Sequence, residues 1–315
     1  MAKEITDGLS VLVPVFNWDS SALLEALHAQ GLALDSGFEL IVADDCSSNR
    51  ELKKKVAEKA ASLEKCRYFA LENNMGRAAI RNFLAEQSAY SKLLFIDCDA
   101  RVDSETFLSS YLEASECSQV VCGGLKHPAA LPARGCELRY RYEKRADRRR
   151  GAEFRSRRPY DNFTPFSFLT DRDVFLKIRF DENIAGYGYE DVEFGMSLQR
   201  LGISILHIDN ALVHLGIDDN GSFLEKTDAS LSNLYVNRDF MADGSRLLNV
   251  YYRLERLHLV PAVCLLGRML SSLMNRNLRG SRPCLLLFSF YKLYGLSVLF
   301  MGKRTVFAEN EPICR

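Results

Sequence analysis

The chain has 315 residues, of which 47% are hydrophobic and 26% charged, and its basic and acidic residues balance to a formal net charge of +0. Such a chain is long enough and apolar enough to bury a full core, which excludes a disordered, fibrous or collagen-like protein. The charge is unevenly placed: residues 139–158 hold ten Lys or Arg against Glu143, Asp147 and Glu153, and residues 246–304 hold ten against Glu255 alone. Nine cysteines, an odd number without CxxC spacing, read as reduced thiols; Cys98, Cys122 and Cys264 sit in apolar contexts. The opening MAKEITDGLSVLVPVF lacks a basic segment followed by a clean apolar one, so a cytoplasmic protein is expected.

Taken in chain order, residues 9–16 form a short, β-branched apolar run that predicts a strand, and 20–30 carry Leu23, Leu24 and Leu27 at helical spacing. Residues 38–43 predict a second strand that stops at Asp44-Asp45-Cys46-Ser47-Ser48, followed by a charged amphipathic helix over 50–65. A third strand over 67–71 and a helix over 77–88 lead to a fourth strand, 93–96, which runs into Asp97-Cys98-Asp99. This alternation predicts an α/β fold with a Rossmann-like, mostly parallel, doubly wound sheet, whose ligands bind at the carboxyl ends of the strands. The second half is less regular. It contains a strand over 120–124, a basic helix or loop over 140–158, a helix over 192–201 and short strands over 203–208 and 211–215. From about Leu247 the composition turns to aliphatic and aromatic runs broken by Arg and Lys. We therefore divide the chain into a catalytic domain, 1–245, and a basic, apolar, helical C-terminal region, 246–315.

Two clusters carry chemistry. Asp97 and Asp99 stand at i and i+2 beyond a buried strand, where extended side chains point the same way and reach one hard cation, Mn²⁺ or Mg²⁺, able to bridge a diphosphate. The competing reading is a solvated turn with Asp99 capping the next helix. Gly186-Tyr187-Gly188-Tyr189-Glu190-Asp191 places two carboxylates at a helix start, where the helix dipole favours ionised forms and a carboxylate facing a hydroxyl acts as general base. Plain N-capping is the alternative there. The first strand-to-helix turn, VPVFNWDSS, has no G-x-G-x-x-G, which argues against a dinucleotide-dependent oxidoreductase. A nucleotidyltransferase would need a glycine-rich basic loop after that strand, which is absent, and an inactive glycan-binding relative would have lost acids that are all present.

SVLVPVFN (10–17), IVADDCS (41–47), NNMGRAAIRN (73–82), LFIDCD (94–99) and GYGYED (186–191), in that order, resemble glycosyltransferase family 2, inverting enzymes with the A-type nucleotide-sugar-binding fold, of the kind that builds bacterial polysaccharides. The resemblance covers roughly 9–215. It implies that Pro14, Val15, Phe16 and Asn17 line the nucleotide pocket, that Asp45, with Asp44 the lesser partner, contacts a uracil base, and that Gly76 and Arg77 approach the base and diphosphate. It further implies that Asp97, Cys98 and Asp99 form the metal and ribose-phosphate element, with Asp99 the direct ligand, and that Asp191 is the catalytic base while Glu190 binds or orients the acceptor. Tyr189 departs from the small residue common in relatives. Residues 162–170 correspond to a segment lining the donor and acceptor pockets, and their aromatics suit a core equally well. His214 sits where some relatives recruit a third metal ligand, and a structural role weighs evenly against that; His207, within a strand, is less suited. The implied reaction is a single in-line displacement from a nucleotide sugar, a UDP-sugar by preference, onto a carbohydrate or lipid-linked acceptor.

The basic stretch 139–158 interleaves Tyr140, Tyr142 and Phe154 with arginines. No nucleic-acid fold surrounds it, and it reads as a solvated face or an electrostatic site for an anionic acceptor. The run 284–301 is too short, and contains Lys292, for a bilayer crossing of ~20 apolar residues. The tail is expected to pack as a helical subdomain or to touch the inner face of the cell membrane peripherally.

Overall fold

The computed structural model describes residues 6–131, 133–183, 190–241 and 245–302. In chain order its elements are β1 (Thr6–Val15), α1 (Ser21–Leu32), β2 (Gly37–Asp44), α2 (Arg50–Ala61), β3 (Cys66–Ala70), α3 (Gly76–Gln87), β4 (Tyr90–Ile96), β5 (Ala100–Arg101), α4 (Phe107–Ser115), β6 (Val120–Cys122) and β7 (Leu125–Lys126). Then come α5 (Glu137–Ala146), α6 (Ala152–Ser156), β8 (Ser167–Asp171), α7 (Arg172–Ile178), α8 (Glu190–Arg200), β9 (Leu206–His207), β10 (Leu212–His214), α9 (Asn220–Val236), α10 (Arg238–Met241), α11 (Arg246–Arg256), α12 (Val260–Leu278) and α13 (Leu285–Phe300).

The contacts divide these into two compact units. The first takes residues 6–130, 145–183 and 190–216; the second takes 131, 133–144, 217–241 and 245–302. Thus α9 and α10 group with the C-terminal helices, ahead of the change in composition at Leu247.

The first unit is built on a seven-stranded sheet of order β3-β2-β1-β4-β8-β6-β9. β1, β2, β3 and β4 run parallel, and β8 runs antiparallel to both β4 and β6. Both faces are covered, so the strands are apolar at nearly every position rather than at every second one. Val11, Val13, Leu40 and Val42 join α1, α2 and α4 on one side. Leu12, Ile41 and Ala43 join α3, α7 and α8 on the other. Asn49 caps α2 by accepting from the backbone N–H groups of Glu51 and Leu52, which explains why that helix starts at Arg50. β8 begins within the 162–170 segment, and the segment's Phe163, Phe166 and Phe168 are buried, so these aromatics build core. The strand predicted over 203–208 is only Leu206–His207, and the guanidinium of Arg155 takes up the Ile208 carbonyl just beyond it.

The sheet order reverses between β1 and β4, whose ends therefore open a crevice at their carboxyl termini, where ligands bind in such sheets. A small second sheet, β5-β10-β7, lies in the same unit and pairs His214 with Ala100.

The second unit is helical. Leu138, Leu224, Met274, Leu278, Phe288, Tyr291, Tyr294 and Val298 form its core. The apolar 284–301 run becomes α13, and much of it, including Tyr294, Leu296 and Val298, is buried in that core. No single described helix is long and apolar enough to cross a membrane.

Candidate active site

The described residues of the clusters singled out in the sequence lie at the ends of strands or the starts of helices in the first unit. After β1, Asn17 adopts φ 49°, a left-handed conformation that Asn tolerates better than most residues. Its side chain accepts from the Asn49 backbone N–H at 3.0 Å and donates to Ser48 Oγ at 3.1 Å, while its own N–H donates to Ser47 Oγ at 2.8 Å. Asn17 thus ties the β1 turn to the β2 loop. Phe16 is 49% exposed at this edge.

The acidic pair after β2 divides its roles. Asp44 is fully buried; one oxygen accepts from the Ser47 N–H and faces Lys53 at 3.4 Å, and the other is buried with no hydrogen bond. Asp45 receives the backbone N–H groups of Met75 at 2.6 Å and Gly76 at 3.0 Å, one on each carboxylate oxygen. Neither acid caps α2. Asp45 instead fixes the start of α3, and any base contact it makes uses the remaining lone pairs of oxygens already engaged. Gly76 has φ +83° with nothing within 4 Å of a Cβ, so backbone conformation rather than space selects glycine there. Arg77, the next residue, extends from α3 with its side chain 52% exposed and lies 3.8 Å from Glu190 Oε1.

At the end of β4, Asp97 and Asp99 diverge. Asp97 Oδ1 accepts from Arg81 at 2.5 Å. Arg81 is 3% exposed, also donates to the Arg77 carbonyl at 3.0 Å, and lies over the Phe180 ring. Nothing in the sequence marked Arg81 apart from other helical arginines; its role follows from α3 burying that face. Asp99 Oδ2 lies 3.1 Å from His214 Nε2. The β5–β10 pairing, together with the Leu215 N–H donating to the Asp99 carbonyl at 2.8 Å, sets that approach. Gly216 makes room for it, because a Cβ there would stand 1.9 Å from Asp99 Oδ2. Cys98 between them is a partly buried thiol whose pKa is driven up mainly by desolvation.

His127 is a second histidine that the sequence gave no reason to single out. It is 5% exposed, its Nδ1 lies 2.7 Å from Asp147 Oδ1, and its ring packs edge-on against His214 with centroids 5.9 Å apart. A carboxylate only accepts, so Nδ1 carries the proton and Nε2 is the basic nitrogen, the arrangement seen when a carboxylate orients a metal-binding imidazole. His207 is structural. Its Nε2 meets the Pro159 carbonyl at 3.0 Å and its Nδ1 meets Arg155 at 2.7 Å, and burial lowers its pKa to about 4, so it stays neutral. Arg155 itself is 5% exposed and donates to the carbonyls of Cys122, Gly123 and Ile208, which removes it from any basic surface.

Gly186, Tyr187, Gly188 and Tyr189 lie outside the described residues. Glu190 and Asp191 form the first turn of α8. Asp191 Oδ1 accepts from the Val192 N–H at 2.9 Å. Burial, reinforced by the neighbouring Glu190 charge, raises its carboxyl from 3.8 to about 6. The site therefore gathers a tuned carboxylate, an exposed guanidinium beside it, a histidine–carboxylate pair and a half-exposed aromatic ring on one set of strand and helix ends.

The model of the family described as glycosyl transferase family 2 matches residues 10–178. A segment of 117 residues is 32% identical to an N-acetylglucosaminyltransferase of Azorhizobium caulinodans, covering 36% of this chain and 29% of that protein, so the match spans under a third of the relative's length. Among solved structures, a mannosyltransferase of Pyrobaculum calidifontis in complex with GDP-Man and Mn²⁺ superposes with a TM-score of 0.58 at 12% identity, covering 94% of this chain and 86% of that one. S. aureus TarS 1–349 in complex with UDP-GlcNAc gives a TM-score of 0.49 at 18% identity, covering 94% of this chain and 93% of the other.

Proposed function

The chain belongs to glycosyl transferase family 2, and from that premise we propose that this glycosyltransferase moves a sugar, with inversion, from a UDP-sugar to a hydroxyl of a carbohydrate or lipid-linked glycan in the cytoplasm. The likeness to an N-acetylglucosaminyltransferase favours an N-acetylhexosamine as the transferred unit. The observation that carries the reading is Asp191, a carboxylate on the first turn of α8 whose pKa of about 6 lies closer to neutrality than an ordinary carboxylate's. A base of that strength is ionised near pH 7 and still accepts a proton in the transition state.

The residues divide the work as follows. Phe16 and Asn17 form the edge against which the nucleotide base rests, and Asp45 and Gly76 hold the backbone of the α3 start beside it. Asp191 withdraws the acceptor hydroxyl proton as that oxygen bonds to the anomeric carbon and the bond from that carbon to the diphosphate breaks on the opposite face. Arg77 places its guanidinium where the departing diphosphate gathers charge. Glu190, 3.8 Å from Arg77, orients the acceptor.

The donor set fits a divalent cation, Mn²⁺ or Mg²⁺. Two ligands at ~2.1 Å from one ion and at right angles stand ~3 Å apart, and Asp99 Oδ2 and His214 Nε2 are separated by 3.1 Å. Asp99 and His214 would hold it. When bound, such an ion neutralises charge on the leaving diphosphate.

The test is isothermal titration of the protein with UDP, GDP and dTDP, with Mn²⁺ and then with chelator, followed by transfer assays over a panel of UDP-sugars. UDP binding that disappears on chelation, and product of inverted configuration, are expected. A folded protein that binds no nucleoside diphosphate overturns the donor assignment, and full activity in Asp191→Asn overturns the assignment of the base.

A further inference from the structure

The second unit presents an apolar helix face that its own core leaves uncovered. On α12, Val260, Gly267, Met274 and Leu278 point inward and are buried. Leu265, Leu266, Met269 and Leu273 recur at i, i+1, i+4 and i+8 on the opposite side and are 64%, 48%, 73% and 56% exposed. Isolated exposed leucines are ordinary, but four long apolar side chains in one continuous stripe are not. The stripe has a charge signature as well. Residues 257–302 contain Arg268, Arg276, Arg279, Arg282 and Lys292 and no Asp or Glu, and Arg268 and Arg276, on α12 itself, are exposed.

An apolar stripe flanked by exposed arginines, on a helix that carries no acid, matches one kind of partner better than any other. A protein partner's apolar patch would leave the arginines unpaired, whereas an anionic bilayer offers acyl chains to the stripe and headgroup phosphates to its flanks. Length points the same way. The only helix combination among the described residues long and apolar enough to enter a membrane, α11 with α12, is bent by 114° between its two parts, and α13, the most apolar helix, buries Phe288, Tyr291, Tyr294 and Val298 in the core of the unit. We propose that the outward face of α12 docks this protein on the surface of a membrane containing anionic phospholipid, with Leu265, Leu266, Met269 and Leu273 inserted to the headgroup boundary and Arg268 and Arg276 on lipid phosphates. The helix lies in the interface and does not cross it. This assignment is independent of the catalytic reading, since none of these residues belongs to the donor or base site.

The experiment is flotation of the full chain with vesicles of phosphatidylcholine alone and of equimolar phosphatidylcholine and phosphatidylglycerol, at low and high salt, with light scattering of the protein without lipid. The expected result is binding to the anionic vesicles only, weakened by salt. Leu265→Gln/Met269→Gln/Leu273→Gln, all at exposed positions that leave the fold intact by circular dichroism, is expected to weaken binding at least about a hundredfold, since each apolar side chain withdrawn from lipid costs of the order of tenfold in partitioning. Arg268→Gln/Arg276→Gln is expected to abolish the preference for anionic lipid. Equal binding by the triple variant overturns the proposal. So does a wild-type dimer that fails to float and becomes monomeric in the triple variant, which would assign the stripe to a second copy of the chain.

Discussion

Replacing Asp191 by Asn separates the energetic cost of a desolvated base from its chemical use. Its carboxyl titrates at about 6 instead of 3.8, and each pKa unit corresponds to ~1.4 kcal/mol, so keeping it ionised near pH 7 costs the folded protein up to about 3 kcal/mol. The side chain is partly reached by solvent, and screening reduces the expected figure to about 1–2 kcal/mol. The sign follows from proton counting. The folded protein holds the Asp191 proton more tightly than the unfolded chain does, so stability falls as pH rises from about 4 to about 6 and stays reduced above that. Asn keeps an Oδ1 acceptor for the Val192 N–H and carries no charge to desolvate. Asp191→Asn is therefore expected to be about 1–2 kcal/mol more stable than wild type in urea unfolding at about pH 7.5, to show no gain at about pH 4, and to lose about 10²–10⁴ in transfer rate. A variant that is less stable at the higher pH, or that gains equally at both, would refute the claim that burial sets this group's pKa.

Three further outcomes follow from particular contacts. Arg81→Leu removes the partner of Asp97 and a donor to the Arg77 carbonyl, and is expected to cost about 2–3 kcal/mol in urea unfolding; the loss stays below that of a fully buried pair because Asp97, 27% exposed, can hydrate. His214→Ala is expected to lower Mn²⁺ affinity by tenfold or more and His127→Ala by less, both read from the free-Mn²⁺ signal in electron paramagnetic resonance; unchanged affinity in His214→Ala removes that residue from the metal site. Gly216→Ala introduces a Cβ 1.9 Å from Asp99 Oδ2 and forces the carboxylate away from His214, so Mn²⁺-dependent UDP binding by calorimetry is expected to fall about tenfold while the melting temperature changes little.

The doubly wound sheet was legible because its strands are buried on both faces and their alternation with helices fixes parallel pairing. The strand ends were legible for the same reason: apolar runs that stop abruptly at Asn17, Asp44 and Asp97 mark where backbone leaves the core. What the sequence did not reveal depends on long-range register. Arg81 looks like any helical arginine until α3 turns it inward onto Asp97, and His127 pairs with His214 only because β7 and β10 are neighbours. For the tail, the sequence left packing and membrane contact open; α13 places Phe288, Tyr291, Tyr294 and Val298 in the core of its own unit, and the exposed stripe lies on α12, whose sequence is less uniformly apolar.

The same contacts explain why the site needs so few free side chains to be well placed. Asn17 is bound to residues 47–49, Asp45 to the start of α3, Asp97 to Arg81, and Asp99 to the strand before Gly216. The β1 and β2 loops are thus tied to each other and to the start of α3, and the β4 loop to α3 and to the strand before Gly216. Among the described residues, Asp191 differs in accepting only from its own helix turn. That leaves its charge poorly compensated, and poor compensation is what keeps its pKa near the range where a general base works. The carboxylates that position are thus stabilised by their partners, while the one that reacts is held at an energetic cost, and the gain in stability expected for Asp191→Asn measures that difference directly.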